Sequence, residues 1–372
     1  MHLYFPHLGG IENYVYRLKS LLKSQGHKVT IYTTDLSLAD GGIKDEDAIY
    51  CKTNVSLLRN PFSLELAKRL ATSSEDIYHL HAPWFLSSLI AARVLKDKPK
   101  VMTVHSARIE SKNLMIGALN MLYHPFAQYI LSNMDMVIPL GERERERLVA
   151  RFKLGEDKIT PIPNGIEVAE FQRNDKAKAE FTYKHDLRRD SFKILYVSRL
   201  VPEKSPDKLI RSVSKYMKED NIEVIMIGDG AEQYMSHLKA VSNHRIHILG
   251  KVPQEELLSA YYISDLFVFL GLWEGMPTVI LEAMACGLPV LTTPVAGVPD
   301  MVIEGENGYF LSIPIDEREL ANKITHFMKD IDTVKMGKAN MLKVSQNYTW
   351  DIIGSKISDV YEQVLGRRHN ER

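Results

Sequence analysis

Two carboxylates, Glu274 and Glu282, are set in the run Glu274-Gly275-Met276-Pro277-Thr278-Val-Ile-Leu-Glu282-Ala-Met-Ala-Cys-Gly287. The run reads as a loop that becomes a helix near Pro277 and stops at Gly287. A helix start gathers unpaired N–H groups and partial positive charge, so it offers a seat for a diphosphate. Glu274, in the loop before it, can accept hydrogen bonds from sugar hydroxyls. Glu282, about a turn and a half inside, can accept both hydroxyls of a ribose. Upstream, Arg199 and Lys204 follow the apolar run 193–197. Two cations at a strand's carboxyl end can grip a diphosphate and stabilise the charge it gains on leaving. A third feature is Gly228-Asp229-Gly230, again between strand and helix. A dinucleotide fingerprint needs a further glycine at 233, which is Gln233, so the pattern is incomplete. It lets a backbone pass close to a nucleotide or merely closes a turn. Taken singly, each feature has a bland counterpart in a solvated loop or an exposed helix face; the two glutamates framed by Gly275, Pro277 and Gly287 do not.

These side chains need a scaffold. Short apolar or β-branched runs alternate with longer helical patterns, the sign of parallel sheets wrapped by helices. Strands are expected at 28–33, 77–80, 100–104, 136–139 and 159–163. A second set is expected at 193–197, 222–227, 245–249, 266–270, 289–292 and 308–311. Helices are expected at 11–24, 61–71, 84–96, 206–218, 253–261, 277–285 and 351–365, several opened by proline, whose fixed φ suits a first turn. The two sets imply an N-terminal domain (1–168), a polar linker (169–190), a C-terminal domain (191–345) and a final helical segment (346–372) that packs back across to the first domain. Doubly wound domains bind ligands at the carboxyl ends of their strands. Only Met1–Phe5 precedes Gly9-Gly10, so the first strand is short or missing, as in a chain begun at an internal start or shortened.

Composition narrows the function. The 372 residues hold 47 Lys+Arg against 47 Asp+Glu, a balance that argues against a dedicated nucleic-acid partner. The two cysteines, Cys51 and Cys286, are far apart, which excludes a disulfide scaffold and a cysteine zinc site and suits a reducing cytoplasm. The longest apolar run, 266–273, is far short of the roughly 18–20 residues that cross a bilayer. Residues 1–10 lack the basic and apolar regions of a signal peptide. A cytoplasmic protein, free or peripheral to a membrane, is expected.

The chain resembles the retaining glycosyltransferases of family 4. The resemblance rests on Arg199 and Lys204 as R-x4-K after a strand, Gly228-Asp-Gly230, Gly250-Lys-Val252-Pro, and Glu274 with Glu282 as E-x7-E. Upstream, Gly9-Gly10-Ile-Glu resembles the N-terminal Gly-Gly loop, Thr103-Val-His105 the strand-end histidine, and Pro163-Asn-Gly165-Ile the close of the first domain. The resemblance implies the GT-B fold: α/β, two Rossmann-like doubly wound domains facing a central cleft. It implies a UDP- or GDP-sugar donor and a glycan, glycolipid or polyprenyl-linked acceptor, with no cofactor and no metal. Arg199 and Lys204 would neutralise the diphosphate leaving group and Glu282 would hold the ribose. Glu274 and the backbone of Gly275, Met276, Pro277 and Thr278 would hold the sugar, and Val252 would contact the base. Gly9 and Gly10 would let backbone approach the phosphates, and His105 would lie near the sugar. The sugar would transfer on one face, with no protein nucleophile. Two departures bear on the sugar pocket: Leu270-Gly271 stands where the family usually has Pro-Ser, and Ser205 where it often has Gly. Other readings on similar sheets are a sugar-nucleotide epimerase, a phosphorylase, a nicotinamide oxidoreductase or a non-catalytic nucleotide-sugar-binding subunit. The broken glycine fingerprint speaks against the oxidoreductase, and the short chain against the phosphorylase.

Weaker signals remain. His79, His81 and His105 are expected to be packed or hydrogen-bonded rings rather than a metal site, and only His105 is assigned a role. Asp45-Glu-Asp47 and Asp330-Ile-Asp332 match the D-x-D metal motif but read as surface charge. The apolar segment Asn113–Ser132, interrupted by Pro125, reads first as a buried, kinked helix and second as a membrane contact. Glu142–Arg147 alternates in sign and reads as a solvated helix face.

Overall fold

The computed structural model describes residues 1–6, 9–38, 44–57, 60–106, 114–171, 173–218, 221–272 and 274–370. The chain divides into two units, Met1–Gly165 with Trp350–Arg372, and Ile166–Thr349. The stretch 169–190, read as linker, belongs to the second unit and carries the helix Asp175–Lys184, capped by the Asn174 side chain on the N–H groups of Lys176 and Ala177. The boundary therefore falls at Gly165. There the indole of Trp350 lies 2.8 Å from where a Cβ would stand, a contact only glycine leaves room for.

Unit 1 carries β1 (Ile31–Thr34), β2 (Ala48–Cys51), β3 (Val55–Leu57), β4 (Asn60–Phe62), β5 (Tyr78–His81), β6 (Lys100–Val104) and β7 (Met136–Pro139). β1 pairs with β2 in parallel, and β5, β6 and β7 form a separate parallel sheet. The expected helix at 61–71 is shorter. Pro61 sits in the antiparallel pair β3–β4, and Ser63 then caps the helix Leu64–Thr72 by accepting from the Leu66 N–H at 3.1 Å. The expected strand at 159–163 is reduced to one bridge, Val137 to Ile159, because Pro161 and Pro163 bring no N–H to a ladder. No strand is assigned to Met1–Phe5. The last helix, Trp350–Asn370, closes the unit. Gly354 lets it lie against Leu21 of the helix Gly10–Ser24, and Arg368 reaches Asp135 at 2.7 Å.

Unit 2 carries β8 (Phe192–Val197), β9 (Ile222–Ile227), β10 (Ile246–Gly250), β11 (Leu266–Phe269), β12 (Val290–Thr292) and β13 (Gly308–Phe310). They form one sheet in the order β10-β9-β8-β11-β12-β13, with every pairing parallel. Ile194, Val224, Val268 and Leu291 lie fully buried in it. Covered on both faces, such strands read as continuous apolar runs, which is why the sequence exposes them. The chain winds from β8 outward through β9 and β10, then returns to place β11 on the other side of β8. The reversal leaves a crevice at the carboxyl ends of β8 and β11, where open α/β sheets bind ligands.

The aspartates read as surface charge divide. Asp45 is half-buried, accepts from Tyr4 Oη at 3.0 Å and pairs with buried Lys19 at 2.5 Å. Lys19 holds its carboxyl below the ordinary range against the opposing push of burial. Asp330 stays exposed beside His326, and Asp332 caps the helix Thr333–Asn347.

In unit 1, His79 is hydrogen-bonded to Tyr361 Oη (2.6 Å) and Thr103 Oγ1 (2.8 Å), and its ring stacks on His81. His81 Nδ1 meets His105 Nε2 at 3.3 Å. Burial pulls His79 and His105 down to about 3, and pulls His81 well below its usual value, helped by the other two rings. All three are neutral when folded, whereas unfolded histidine titrates near 6.5. The unfolded chain therefore binds protons the fold refuses, and stability falls as pH drops below about 6.5. The predicted loss is about 1.4 kcal/mol per pH unit for each ring, with no contribution from these groups above that pH. Thermal unfolding from pH 4 to 8 checks it. His79→Gln should flatten the acid slope, and an unchanged slope would mean that His79 is charged in the fold.

Candidate active site

Four loops at the carboxyl ends of β8, β9, β10 and β11 carry the candidate residues of unit 2. After β8 the chain makes a short 3-10 turn, Pro202–Lys204, then starts the helix Pro206–Tyr216. Ser205 between them is left-handed (φ 52°). That is the conformation glycine adopts freely, so the departure at 205 keeps the turn at a modest conformational cost. Tyr196 Oη donates to the Lys204 carbonyl at 2.5 Å and fixes the turn from beneath.

Lys204 is buried and its ammonium forms an ion pair with Glu274. It also lies 5.6 Å from the Phe269 ring centroid. One backbone bond ties the two loops, from the Leu272 N–H to the Glu203 carbonyl at 3.2 Å. Burial and then the neighbouring Arg199 pull the Lys204 ammonium down to about 8, while Glu203 opposes the fall. Arg199 itself is exposed. The second departure, Gly271, is explained by packing: a Cβ there would stand 2.6 Å from the Phe269 ring, and its carbonyl accepts from Thr293 Oγ1 at 2.5 Å.

Gly228 and Gly230 have a structural duty. At Gly228 (φ 138°) a Cβ would stand 1.8 Å from the Ser198 carbonyl oxygen, and at Gly230 2.1 Å from that of Leu200. The Leu200 N–H donates to the Asp229 carbonyl at 2.7 Å, and the Gly228 N–H to that of Gly250 at 2.8 Å. These glycines press the loop after β9 against the loop that bears Arg199 and against the approach to Val252, which is half-buried.

The loop Glu274–Pro277 leads into the helix Thr278–Ala285, with Pro277 as its N-cap. Gly275 accepts from the Gly297 N–H at 2.9 Å; Met276 is buried and Thr278 exposed. Glu282 accepts from Tyr261 Oη at 2.9 Å, on the helix Gln254–Ile263. Burial raises the Glu282 carboxyl, while Tyr261 and Thr278 oppose the rise. Tyr261, Tyr196 and Phe269 were not anticipated. No short-range signal marks them, because each meets its partner through the tertiary fold.

Unit 1 holds the remaining candidates. His105 follows β6 beside His81, with Tyr14 edge-on to its ring at 5.1 Å. Gly9 precedes the helix Gly10–Ser24 in extended backbone. At Gly10 nothing lies within 4 Å of where a Cβ would stand, so packing does not call for glycine there.

Comparison with known proteins agrees with this architecture. The family model described as glycosyl transferases group 1 matches residues 177–342, and that described as Glycosyltransferase Family 4 matches residues 8–170. The GPI3 subunit of phosphatidylinositol N-acetylglucosaminyltransferase from Saccharomyces cerevisiae is 25% identical over 97% of this chain and 81% of the relative. Phosphatidyl-myo-inositol mannosyltransferase from Mycolicibacterium smegmatis is 24% identical over 96% of this chain and 91% of the relative. Among solved structures, Anabaena Alr3699/HepE in complex with UDP superposes with a TM-score of 0.80 at 18% identity, covering 98% of this chain and all of that one. With one model on each sheet-bearing half and a GT-B neighbour along its length, the chain belongs to the family-4 type of GT-B glycosyltransferases.

Proposed function

We propose that this glycosyltransferase moves a sugar, with retention, from a UDP- or GDP-sugar to a hydroxyl of a lipid-linked or glycan acceptor, without a metal or other cofactor. The observation that carries the reading is the ion pair of Lys204 and Glu274 beside Arg199, at the reversal of the unit 2 sheet. When the bond between the sugar's anomeric carbon and the diphosphate oxygen breaks, that oxygen gains negative charge. Lys204 and Arg199 stabilise it there, and the acceptor hydroxyl's proton passes to the departing diphosphate. Glu274 and the backbone of Gly275–Thr278 hold the sugar hydroxyls, Glu282 the ribose, Gly228 and Gly230 the nucleotide's approach, and Val252 the base. In unit 1, Gly9 and Gly10 serve the phosphates and His105 serves the sugar, as a neutral ring. The cytoplasmic side of a membrane is the proposed place of work. Similarity to a phosphatidylinositol N-acetylglucosaminyltransferase subunit and to a phosphatidyl-myo-inositol mannosyltransferase supports a lipid-linked acceptor, and the UDP bound by the HepE structure supports a uridine donor.

A surface of unit 1 supports membrane contact. Of the segment expected to lie buried, Asn113 falls outside the described residues, and the stretch 121–132 of the helix Leu114–Ser132 is exposed on one side: Met121 is 81% exposed, Leu122 71% and Phe126 47%, while Ile130 and Leu131 are in the core. It packs on the helix Glu142–Phe152, where Gln128 Nε2 donates to the Phe152 carbonyl and Arg143 and Arg147 are exposed. An apolar ridge beside cations suits an anionic bilayer surface. Among the described residues no helix is long and apolar enough to cross a membrane.

Three outcomes are expected. UDP or GDP, and the matching sugar, should raise the thermal midpoint of the chain. Lys204→Ala and Arg199→Ala should each lower turnover by about 100-fold or more, and EDTA should leave turnover intact. No shift with any nucleotide, or activity lost to EDTA and restored by Mn²⁺, would overturn the assignment. Secondly, kcat/KM should fall as pH rises past about 8, where free Lys204 loses its proton. Lys204→Arg should remove that limb, and a limb that persists would assign it elsewhere. Thirdly, the chain should sediment with vesicles containing phosphatidylinositol. Met121→Ser with Leu122→Ser should weaken that binding about tenfold while leaving turnover on a soluble acceptor unchanged.

A further inference from the structure

Tyr261 sits among aromatic rings, yet it carries a hydroxyl that its surroundings do not need. It lies on the buried side of the helix Gln254–Ile263 and is wholly shielded from solvent. Its ring meets that of Phe267, on β11, at 6.0 Å, and that of Phe171 edge-on at 6.5 Å. Both neighbours are apolar, so a phenylalanine would fill the place as well. A buried hydroxyl is costly unless it finds a partner. The partner of Tyr261 Oη is Glu282 Oε2, to which it donates at 2.9 Å.

The ring is held from two sides. Tyr262, the next residue, donates its hydroxyl to the Phe171 carbonyl and so fastens Phe171 beside it. Phe267 is fully buried in the sheet. Burial, and then the facing Glu282, keep the Tyr261 proton far above the usual tyrosine range, so the hydroxyl remains a donor. These contacts all lie within unit 2.

Glu282 is only half-buried on the helix Thr278–Ala285, so a ligand can reach its carboxylate. A free glutamate has much rotamer freedom to lose when a ligand orders it. The bond from Tyr261 fixes one oxygen from the protein side before any ligand arrives, which lowers that cost. An ionised carboxylate has about four acceptor sites on its two oxygens. With one site on Oε2 taken by Tyr261, Oε1 is left for a pair of neighbouring hydroxyls. The 2′- and 3′-hydroxyls of a ribose are such a pair. Burial and the charge of Glu170 favour the neutral carboxyl, which would turn one oxygen from acceptor to donor; Tyr261 and Thr278 oppose them.

We propose that Tyr261 is the positioning residue for ribose recognition: it holds Glu282 with Oε1 open to both hydroxyls, and so makes the site select ribonucleoside over 2′-deoxyribonucleoside diphosphates. This rests on the reading of Glu282 as the ribose residue. Tyr261 acts only through Glu282. Without its bond the carboxylate turns among rotamers or takes a proton, and either change weakens the grip on the diol. A 2′-deoxy nucleotide makes less of that grip and has less to lose.

The test measures the Kd of UDP and of GDP, each against its 2′-deoxy form, for the full chain, Tyr261→Phe and Glu282→Gln. The unaltered chain should prefer the ribonucleotide by about tenfold or more. Tyr261→Phe removes one oxygen and keeps the ring. It should weaken the ribonucleotide about tenfold and the deoxy form about threefold, so that the preference shrinks. In turnover the loss should appear in KM for the donor rather than in kcat, a split that a general loosening of the fold does not give. In the Glu282→Gln chain, adding Tyr261→Phe should change the preference no further. A preference kept by Tyr261→Phe but lost in Glu282→Gln would overturn the role of Tyr261 and leave Glu282 as the ribose residue. A preference kept by Glu282→Gln, or no binding of either nucleotide, would overturn both. Should Tyr261→Phe fail to fold, the unaltered chain with ¹³C-labelled tyrosine carries the test. The ribonucleotide should shift the Tyr261 Cζ resonance more than its deoxy form does, and equal shifts would overturn the proposal.

Discussion

Parallel strands cannot be joined by a tight turn; each pairing demands a crossover, and the crossovers put every strand-to-helix loop at the same end of the sheet. That constraint is what assembles residues spread from Arg199 to Glu282 in unit 2. Because the winding reverses between β8 and β11, the loops after those two strands flank a crevice instead of a packed neighbour. Lys204 comes from one of these loops and Glu274 from the other.

The Lys204–Glu274 pair shows how a scaffold holds charge ready. Burial disfavours the ammonium, Arg199 adds to that pressure and Glu203 opposes it, while the ammonium itself is paired with Glu274 and lies over the Phe269 ring. A buried cation so placed favours an arriving anion, since it gains a second partner without further desolvation of its own. Arg199, exposed on the same loop, approaches such an anion at little cost. The backbone bond from Leu272 to Glu203 keeps both loops in register.

Much of this was legible in the sequence, and the failures have physical causes. The spacing of Arg199 and Lys204 after an apolar run, and of Glu274 and Glu282 around Pro277, marked one end of a parallel sheet because local order determines those loops. The Gly228-Asp-Gly230 pattern was legible as a need for glycine but not as to its cause, since the Ser198 and Leu200 carbonyls that demand it come from a neighbouring strand's loop. Tyr261 was invisible for the same reason: its hydroxyl matters only once two helices bring it to Glu282. Asp45 was misread as surface charge because its partner Lys19 sits a helix away. The exposed ridge of Met121 and Leu122 was misread because hydropathy reports what a residue prefers, not where packing leaves room for it.

The helix Trp350–Asn370 belongs to unit 1 although unit 2 separates it from the rest of that unit. Unit 2 is thus an uninterrupted stretch of chain, whereas unit 1 is not. During synthesis from the amino end, unit 2 has all its strands once β13 has emerged, while unit 1 still waits for the residues that set Trp350 on Gly165 and Tyr361 on His79. The first unit begun is therefore the last one finished, and the contacts that finish it join stretches of chain separated by the whole of unit 2.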